Sequence, residues 1–464
     1  MYVADSRAST PSAEGAVRPE PAGRRRHAVA PTVLALGTVS LVTDVSSEMV
    51  TAVLPLYLVA GLGLSPLGFG LLDGIYNGFS ALVRLVGGHL ADRGGGRHKW
   101  VAGLGYGVSA LCKPLLLVAH TLTPIGVILA ADRTGKGLRT APRDALISLS
   151  STPETRGRAF GVHRAMDTAG ALLGPLVAFL ILRATVDGYD AVFTVSFCVA
   201  ATGVLVLVLF VPGGAGGTYL PDRRTNRPDR RPNAPGVSRP AADGDARPTL
   251  RAALALLRRR DLRRITVCAL LLGLATVSDS FVYLLLQRRL GVPDRWFALL
   301  PLGTAAAFLL LAVGLGRLAD RVGRWRVFLA GHGALLAAYG LLLTSWHGTA
   351  LPYAVLALHG GFYAATDGVL MAAASDGVPE ALRSSGLAVV QTGQALTRFA
   401  CSLLFGAAWT LWGDRAALAA ATVALAACAA VSYTLRPNAP RPSPEDTLHP
   451  SPEDTLHPDR EHTS

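Results

Sequence analysis

The chain has 464 residues, of which 51% are hydrophobic and 16% charged, with a formal net charge of +13. A soluble protein of this length carries about a quarter charged residues, so the composition excludes an ordinary soluble domain. Nor does the positive excess mark a nucleic-acid binder: charge concentrates in residues 1–27, 221–264 and 436–464 and in short loops, and the remainder is unusually apolar.

Residues 1–30 are rich in Pro, Ser and charge and are expected to form a disordered cytoplasmic segment. Arg24, Arg25 and Arg26 precede the first apolar run as the basic start of a signal peptide would. That run is too long, however, contains Asp44 and Glu48, and offers no small-residue cleavage site, so it is expected to stay as a helix. Apolar runs then follow at 31–59, 66–91, 99–119, 122–145, 159–183, 190–212, 264–289, 294–316, 326–346, 350–373, 384–410 and 414–435. About 20 mostly apolar residues cross a hydrocarbon core. With no water for the backbone, such runs must be helices, because barrel strands are short and alternating. The Pro-, Gly- and Arg-rich stretch 213–263 reads as a flexible cytoplasmic linker attracted to anionic lipid, dividing the spans into bundles at 31–212 and 264–435. Residues 436–464 read as a second disordered tail, in which Ser443–Pro450 recurs at Ser451–Pro458, a duplication in a tolerant segment. The expected fold is an all-α polytopic membrane protein of twelve transmembrane helices in two pseudo-symmetric six-helix bundles.

Loop charge orients the chain. Arg93, Arg97 and Lys99, then Arg156 and Arg158, the arginines of the linker, and Arg317, Arg321, Arg324 and Arg326 occupy alternate loops. Loops 60–65 and 119–123 carry no Lys or Arg. The positive-inside rule makes the basic side the cytoplasm and sets both termini there. The near absence of Lys beside abundant Arg, Ala and Gly fits a high-GC bacterial genome, so a bacterial cytoplasmic membrane is the expected location. Arg288, Arg289 and Arg295 are exceptions on the expected outside, where late loops obey the rule less strictly. Cys112, Cys198, Cys268, Cys401 and Cys428 sit singly in apolar runs and read as small core residues, with no metal or disulfide role.

The halves resemble each other. Gly88-His-Leu-Ala-Asp92-Arg93-Gly-Gly95 follows span two and Gly316-Arg-Leu-Ala-Asp320-Arg321-Val-Gly323 follows span eight, agreeing at six of eight positions. Val42-Thr43-Asp44 in span one is echoed by Val277-Ser278-Asp279 in span seven, and Pro153-Glu154 by Pro379-Glu380. Such duplication is the architecture secondary transporters use for alternating access.

The repeated Gly-x-Leu-Ala-Asp-Arg-x-Gly loop resembles the signature loop of the major facilitator superfamily. Its glycines let helix ends approach, and its Asp and Arg pair with neighbouring helices. The resemblance implies a conformational latch formed by Gly88, Asp92, Arg93, Gly95, Gly316, Asp320, Arg321 and Gly323. Leu129-x-x-x-Arg133-x-x-Lys136-Gly137 is similar to a span-four motif of proton-coupled antiporters, departing from it at Lys136 and Arg139. Gly170-x-x-x-Gly174-Pro175 is similar to the span-five motif of drug and metabolite exporters, with Ala178-Phe179 replacing its second glycine pair. Small-residue helix packing with a proline kink is the alternative account of these residues. Asp44-Val-Ser-Ser-Glu48-Met and Gly135-Lys-Gly-Leu-Arg139 resemble a bacterial subgroup without a general substrate assignment. The resemblance covers about residues 30–435.

A charge in the bilayer core costs at least about 2.5–3.5 kcal/mol on insertion scales, so it needs a partner or water. Asp44 and Glu48 lie one turn apart on span one, Asp132, Arg133, Lys136, Arg139 and Arg143 run along span four, and span five adds His163, Arg164 and Asp167. The family fold implies that these face one another across a cavity. A carboxylate among Asp44, Glu48 and Asp167 is then the candidate proton site, tuned by Arg133 or Lys136. Permanent ion pairing is the alternative, and Asp132 with Lys136 are spaced as a helix-surface pair. In the second half Asp279, His359, Asp367, Gln391, Gln394 and Arg398 are the candidate substrate-cavity residues, and Tyr76, Phe79, Tyr283, Phe362 and Tyr363 the candidate aromatic lining. The expected function is secondary transport, proton-coupled efflux of a small amphipathic compound, with nutrient, siderophore or metabolite import as the alternative and a non-transporting sensor as the remote one. No nucleotide loop, metal cluster or Ser-His-Asp set points to an enzyme. The expected working unit is a monomer in the lipid bilayer that binds a small molecule and no nucleic acid, with no cofactor beyond a coupling proton.

Overall fold

A computed structural model describes residues 30–93, 98–152, 155–186, 188–212, 258, 260–291, 293–346, 348–376 and 383–435. These residues are helical almost throughout, and among them no strand occurs. Span one is Pro31–Leu56, continued by a π-helical turn at Tyr57–Gly61; spans two to six are Pro66–Arg93, His98–Val118, Leu122–Leu149, Arg156–Ala184 and Gly188–Phe210. Span seven comprises Arg260–Ala275 and Asp279–Leu290, and span eight Asp294–Phe297 with Leu300–Val322. Spans nine to twelve are Arg324–Leu343, Leu351–Asp376, Arg383–Trp412 and Asp414–Thr434.

Ten of these are long and apolar enough to cross a membrane by length and composition alone. The other two explain themselves. Span two dilutes its apolar residues with glycines, Asp73 and Asn77, and span four carries the charges from Asp132 to Asp144. Both lie against other spans, two on four and eleven, four on two and three, which keeps their polar faces out of lipid.

Packing repeats between the halves. Span one packs on five and six, two on four, and three on four and six; seven packs on eleven and twelve, eight on ten, and nine on ten and twelve. Each pairing of the first bundle recurs six spans later, so the chain is two copies of one helical arrangement. With twelve crossings, residues 30 and 435 share one side of the bilayer, called here the terminal face; the turns at 62–65 and 119–121 lie at the distal face.

The contacts that join the bundles lie between mid-helix and the distal ends. Gly70, Gly74 and Gly78 let span two press on span eleven: a Cβ on Gly70 would collide with the Ser402 carbonyl oxygen, and one on Gly74 would meet Phe399 at 3.0 Å. The Leu67 amide donates to Thr410 Oγ1 at 3.0 Å, and Ser402 Oγ donates to Asp73 Oδ2 at 2.6 Å. Above this crossing Phe281 of span seven meets Phe69 and Phe405, each with ring centroids 4.8 Å apart, and Phe179 of span five meets Trp296 of span eight at 5.0 Å. Toward the terminal face, Gly314 and Gly316 of span eight look onto open space. The distal side is closed by small and aromatic residues.

Span seven departs from the single helix expected over 264–289. It breaks at Thr276–Ser278, where no proline forces it. The freed groups find side chains instead: the Val277 amide donates to Tyr339 Oη at 2.9 Å, and Cys401 Sγ donates to the Thr276 carbonyl at 3.1 Å. Broken transmembrane helices survive where neighbours re-satisfy the backbone in this way.

Two of the three basic exceptions on the distal side, Arg289 and Arg288, have partners. Arg289 donates to the carbonyls of Leu341, Leu342, Thr344 and Trp346 at the end of span nine, joined there by Arg415, which donates to Leu343. Arg288 lies over the Trp409 ring at 5.1 Å. A cation at a helix C-terminus complements the orphan carbonyls and the dipole.

Candidate functional site: a charged cavity between the bundles

Beneath the distal closure a cavity of about 400 Å³ opens between the halves. Glu48, Thr51, Tyr76 and Asn77 line it from the first bundle; Asp279, Tyr283, Phe297, Phe308, Asp367 and Arg398 are among its residues from the second. Glu48 lies thirteen residues from the distal end of span one at Gly61, about 20 Å along a helix rising 1.5 Å per residue, near mid-membrane.

The first bundle holds its charges in pairs. Glu48 Oε1 lies 3.9 Å from Lys136 Nζ, both half-buried at the cavity edge. One turn back, Asp44 is buried and meets Arg139 at 3.3 Å, and the Arg139 guanidinium lies 4.5 Å from the centre of the Tyr106 ring. Further toward the terminal face Asp167 is bracketed by Arg143 and Arg164, each at 3.7 Å. His163 Nε2 is 2.9 Å from Ser40 Oγ. Spans one, four and five are thus stitched by opposite charges at successive depths.

Arg133 takes no part in that line. It is buried on Asp132 at 2.5 Å and against the Tyr76 ring at 3.8 Å, behind the cavity wall. Asp132 also accepts Lys113 of span three at 3.0 Å and the Ser109 hydroxyl at 2.5 Å. This corrects the expected Asp132–Lys136 pair: Asp132 points into the bundle, where Lys113 waits, and Lys136 turns toward Glu48.

Span five owes its place to two glycines. A Cβ on Gly170 would collide with the Leu41 carbonyl oxygen, and one on Gly174 would meet Glu48 Cβ at 2.6 Å and the Val45 carbonyl oxygen at 2.9 Å. Gly170 and Gly174, with Pro175 in the same helix, let span five lie on span one at the level of the Glu48 carboxylate.

In the second bundle Asp279 begins the second half of span seven. Its Oδ1 accepts the Tyr363 hydroxyl at 2.5 Å and lies 3.4 Å from His359 Nε2, a fully buried ring one layer behind the wall. Asp367 and Arg398 face the cavity directly. Gln391 and Gln394 are not among its described lining residues, because their stretch of span eleven lies toward the terminal face; Gln391 instead donates to Met371 Sδ at 3.7 Å. Of the expected aromatics Tyr76, Tyr283 and Tyr363 line the cavity, and Phe362 is buried behind it against His332.

Of the latch, Gly88 lies within the span-two helix, while Gly95 and the side chains of Asp92 and Arg93 lie outside the described residues. In the second copy Gly323 has φ +105°, a conformation that L side chains rarely adopt, and it joins spans eight and nine. Asp320 is exposed and reaches Arg324 of its own loop at 3.8 Å. Gly316 looks onto open space.

Two charged residues at these interfaces escape a motif-led reading, Asp73 and Lys113. Each is an ionisable group in an apolar span, which is itself the signal that would have found them.

Comparison with known proteins fits this geometry. The family model described as Major Facilitator Superfamily matches residues 36–400 and 308–458. The chain belongs to the major facilitator superfamily. Within it, an uncharacterized MFS-type transporter of Methanocaldococcus jannaschii is 27% identical over 387 residues, 82% of this chain and 88% of that one. An uncharacterized protein of Mycobacterium tuberculosis is 34% identical over 207 residues, 44% of this chain and 47% of its own length. Among solved structures, the nucleoside transporter NupG superposes with a TM-score of 0.70 at 11% identity, covering 87% of this chain and 98% of that one. A bacterial homolog of the human lysosomal transporter Spinster, in an inward-facing and unoccupied conformation, gives a TM-score of 0.68 at 15% identity over 87% and 96%. The chain is therefore a multi-pass membrane protein of a transporter family with this family's fold, and not a member of an enzyme family.

Proposed function

We propose that this facilitator is a proton-coupled exporter of a small amphipathic compound, working by alternating access across a bacterial cytoplasmic membrane with both termini inside. One observation carries the coupling: the Glu48 carboxylate lines the same cavity as Asp279, Asp367 and Arg398 while resting 3.9 Å from Lys136. Proton uptake by Glu48 releases Lys136, and loss of the proton restores the pair. Substrate entering the cavity therefore meets a wall whose charge changes with proton load. Asp44 with Arg139 and Asp167 with Arg143 support the same face from behind. Loop charge assigns the terminal face to the cytoplasm, so the closed distal side corresponds to an inward-facing state. Export is favoured by the antiporter-like span four and exporter-like span five.

The test is transport by the purified chain in proteoliposomes with an imposed pH gradient, using a substrate found by screening a deletion strain against antibiotics, dyes and metals. Hypersensitivity to one class supports export, and a growth defect on one nutrient supports import instead. Glu48→Gln, Asp44→Asn and Asp167→Asn are then compared with the parent chain. If all three express and transport with the parent's pH dependence, proton coupling at this face is wrong.

A further inference from the structure

The cavity wall carries four formal charges, and they divide into two kinds. Glu48 has Lys136 within 3.9 Å, and Asp279 has the Tyr363 hydroxyl at 2.5 Å and His359 at 3.4 Å. Among the described residues, Asp367 of span ten and Arg398 of span eleven have neither hydrogen bond nor ion pair, although both are exposed at the cavity and their helices are neighbours. Asp279 lines the same cavity as Arg398 but lies beyond ion-pair contact with it. Counting along their helices, Asp367 lies sixteen residues from Leu351 and Arg398 fourteen from Trp412, about 24 and 21 Å below the distal ends at 1.5 Å per residue. They sit at nearly one depth.

Opposite charges on adjacent helices at mid-membrane normally neutralise each other, because an uncompensated charge there is costly. Here both are left open to the same space, and aromatic side chains from Tyr283, Phe297, Phe308 and Tyr363 cover the wall between the polar groups. The free guanidinium presents a planar fork suited to a carboxylate or phosphate, and the free carboxylate suits an ammonium. Ligand pockets run from roughly 300 to 1,000 Å³, so a cavity near 400 Å³ admits a compact molecule.

We propose that this cavity recognises small zwitterions with an apolar or aromatic body, the anionic group on Arg398 and the ammonium on Asp367. This rests on the reading of the cavity as the substrate site of a transporter. A site with only the three carboxylates would take simple cations; Arg398 is what adds the anionic requirement.

The test is binding to the purified full-length chain in detergent, by calorimetry and thermal stabilisation. The probes are phenylalanine and phenylalanyl-phenylalanine, each as the zwitterion, the methyl ester (cation), the N-acetyl acid (anion) and the N-acetyl amide (neutral). The zwitterion of at least one scaffold binds at least tenfold tighter than its other three forms. Arg398→Gln abolishes the preference over the ester and Arg398→Lys retains it, while Asp367→Asn abolishes the preference over the N-acetyl acid. An ester that binds as tightly as its parent, or no form of either scaffold binding below millimolar concentration, overturns the proposal. Gradient-driven transport is measured separately. Transport without the zwitterion preference sinks this inference alone, and the preference without transport sinks the functional reading instead.

Discussion

Replacing Asp132 by alanine tests whether the buried charges of the first bundle are structural. Its carboxylate side chain is 9% exposed and holds Lys113 at 3.0 Å and Arg133 at 2.5 Å, whose side chains are 4% and 6% exposed. After Asp132→Ala, Lys113 keeps the Ser109 carbonyl at 2.7 Å and Arg133 keeps the face of Tyr76 at 3.8 Å, but both cations lose their counter-charge. Removing one member of a buried pair costs about 3–5 kcal/mol, because the partner is left charged and dry. The expected loss is of that size, about 2.2 to 3.7 powers of ten in the folding equilibrium. Reversible unfolding in mixed micelles, followed by tryptophan fluorescence, measures it. Adding Lys113→Met to Asp132→Ala removes one of the stranded cations and should recover part of the loss, a coupling within the range of about 0.5–3 kcal/mol seen for residues in contact. Unfolding of Asp132→Ala within about 1 kcal/mol of the parent would refute the reasoning. So would a double variant in which the two losses simply add.

Other sites make independent predictions. Gly70→Leu puts a side chain into the Ser402 carbonyl at the crossing of spans two and eleven, so spin labels at the distal ends of those spans should move apart; an unchanged distance distribution would contradict the closure described. Tyr339→Phe strips the acceptor from the Val277 amide at the break in span seven. An unsatisfied buried donor costs about 1–3 kcal/mol, and thermal unfolding together with faster amide exchange at Val277 should report it. Arg289→Ala removes a cation from the C-terminal carbonyls of span nine and should cost only about 0.5–1 kcal/mol, the usual size of a helix-end charge in partial contact with water; the same unfolding assay checks this.

How far the molecule is legible in its sequence depends on the range of the interaction. Twelve crossings and their bundling are readable because hydropathy is a property of consecutive residues and loop charge of adjacent ones. Gly170 and Gly174 are readable as contact residues because a four-residue spacing of small side chains describes one face of one helix. Ion pairing is different. Lys136 stands four residues from Asp132 and looks like its partner, whereas the partner the fold supplies is Lys113, on another helix whose rotation only packing decides. The break in span seven is hidden for a related reason. Nothing local interrupts Thr276–Ser278; the interruption is tolerated because Tyr339 and Cys401 arrive from spans nine and eleven with a hydroxyl and a thiol. Gln391 and Gln394 look like cavity residues because polarity in an apolar span signals function, but polarity alone does not say which depth is open.

The ion pairs and the closure divide the work of a conformational change. Asp44–Arg139, Glu48–Lys136 and Arg143–Asp167 each join spans of one bundle, so the bundle can rotate as a body without breaking any of them. What must part when the distal side opens is the set of contacts between bundles, and those include glycine on backbone, ring on ring, and the hydrogen bonds from Ser402 to Asp73 and from the Leu67 amide to Thr410. A closure of that kind is held by apolar burial and close packing, which salt does not screen. The loop at Asp320 and Arg321, by contrast, carries exposed charge, and exposed ion pairs weaken as ionic strength rises. On the latch reading of that loop, adding salt weakens the terminal closure and leaves the distal contacts intact. The state described here, shut distally with Asp320 turned onto its own loop, is the one that high salt should favour.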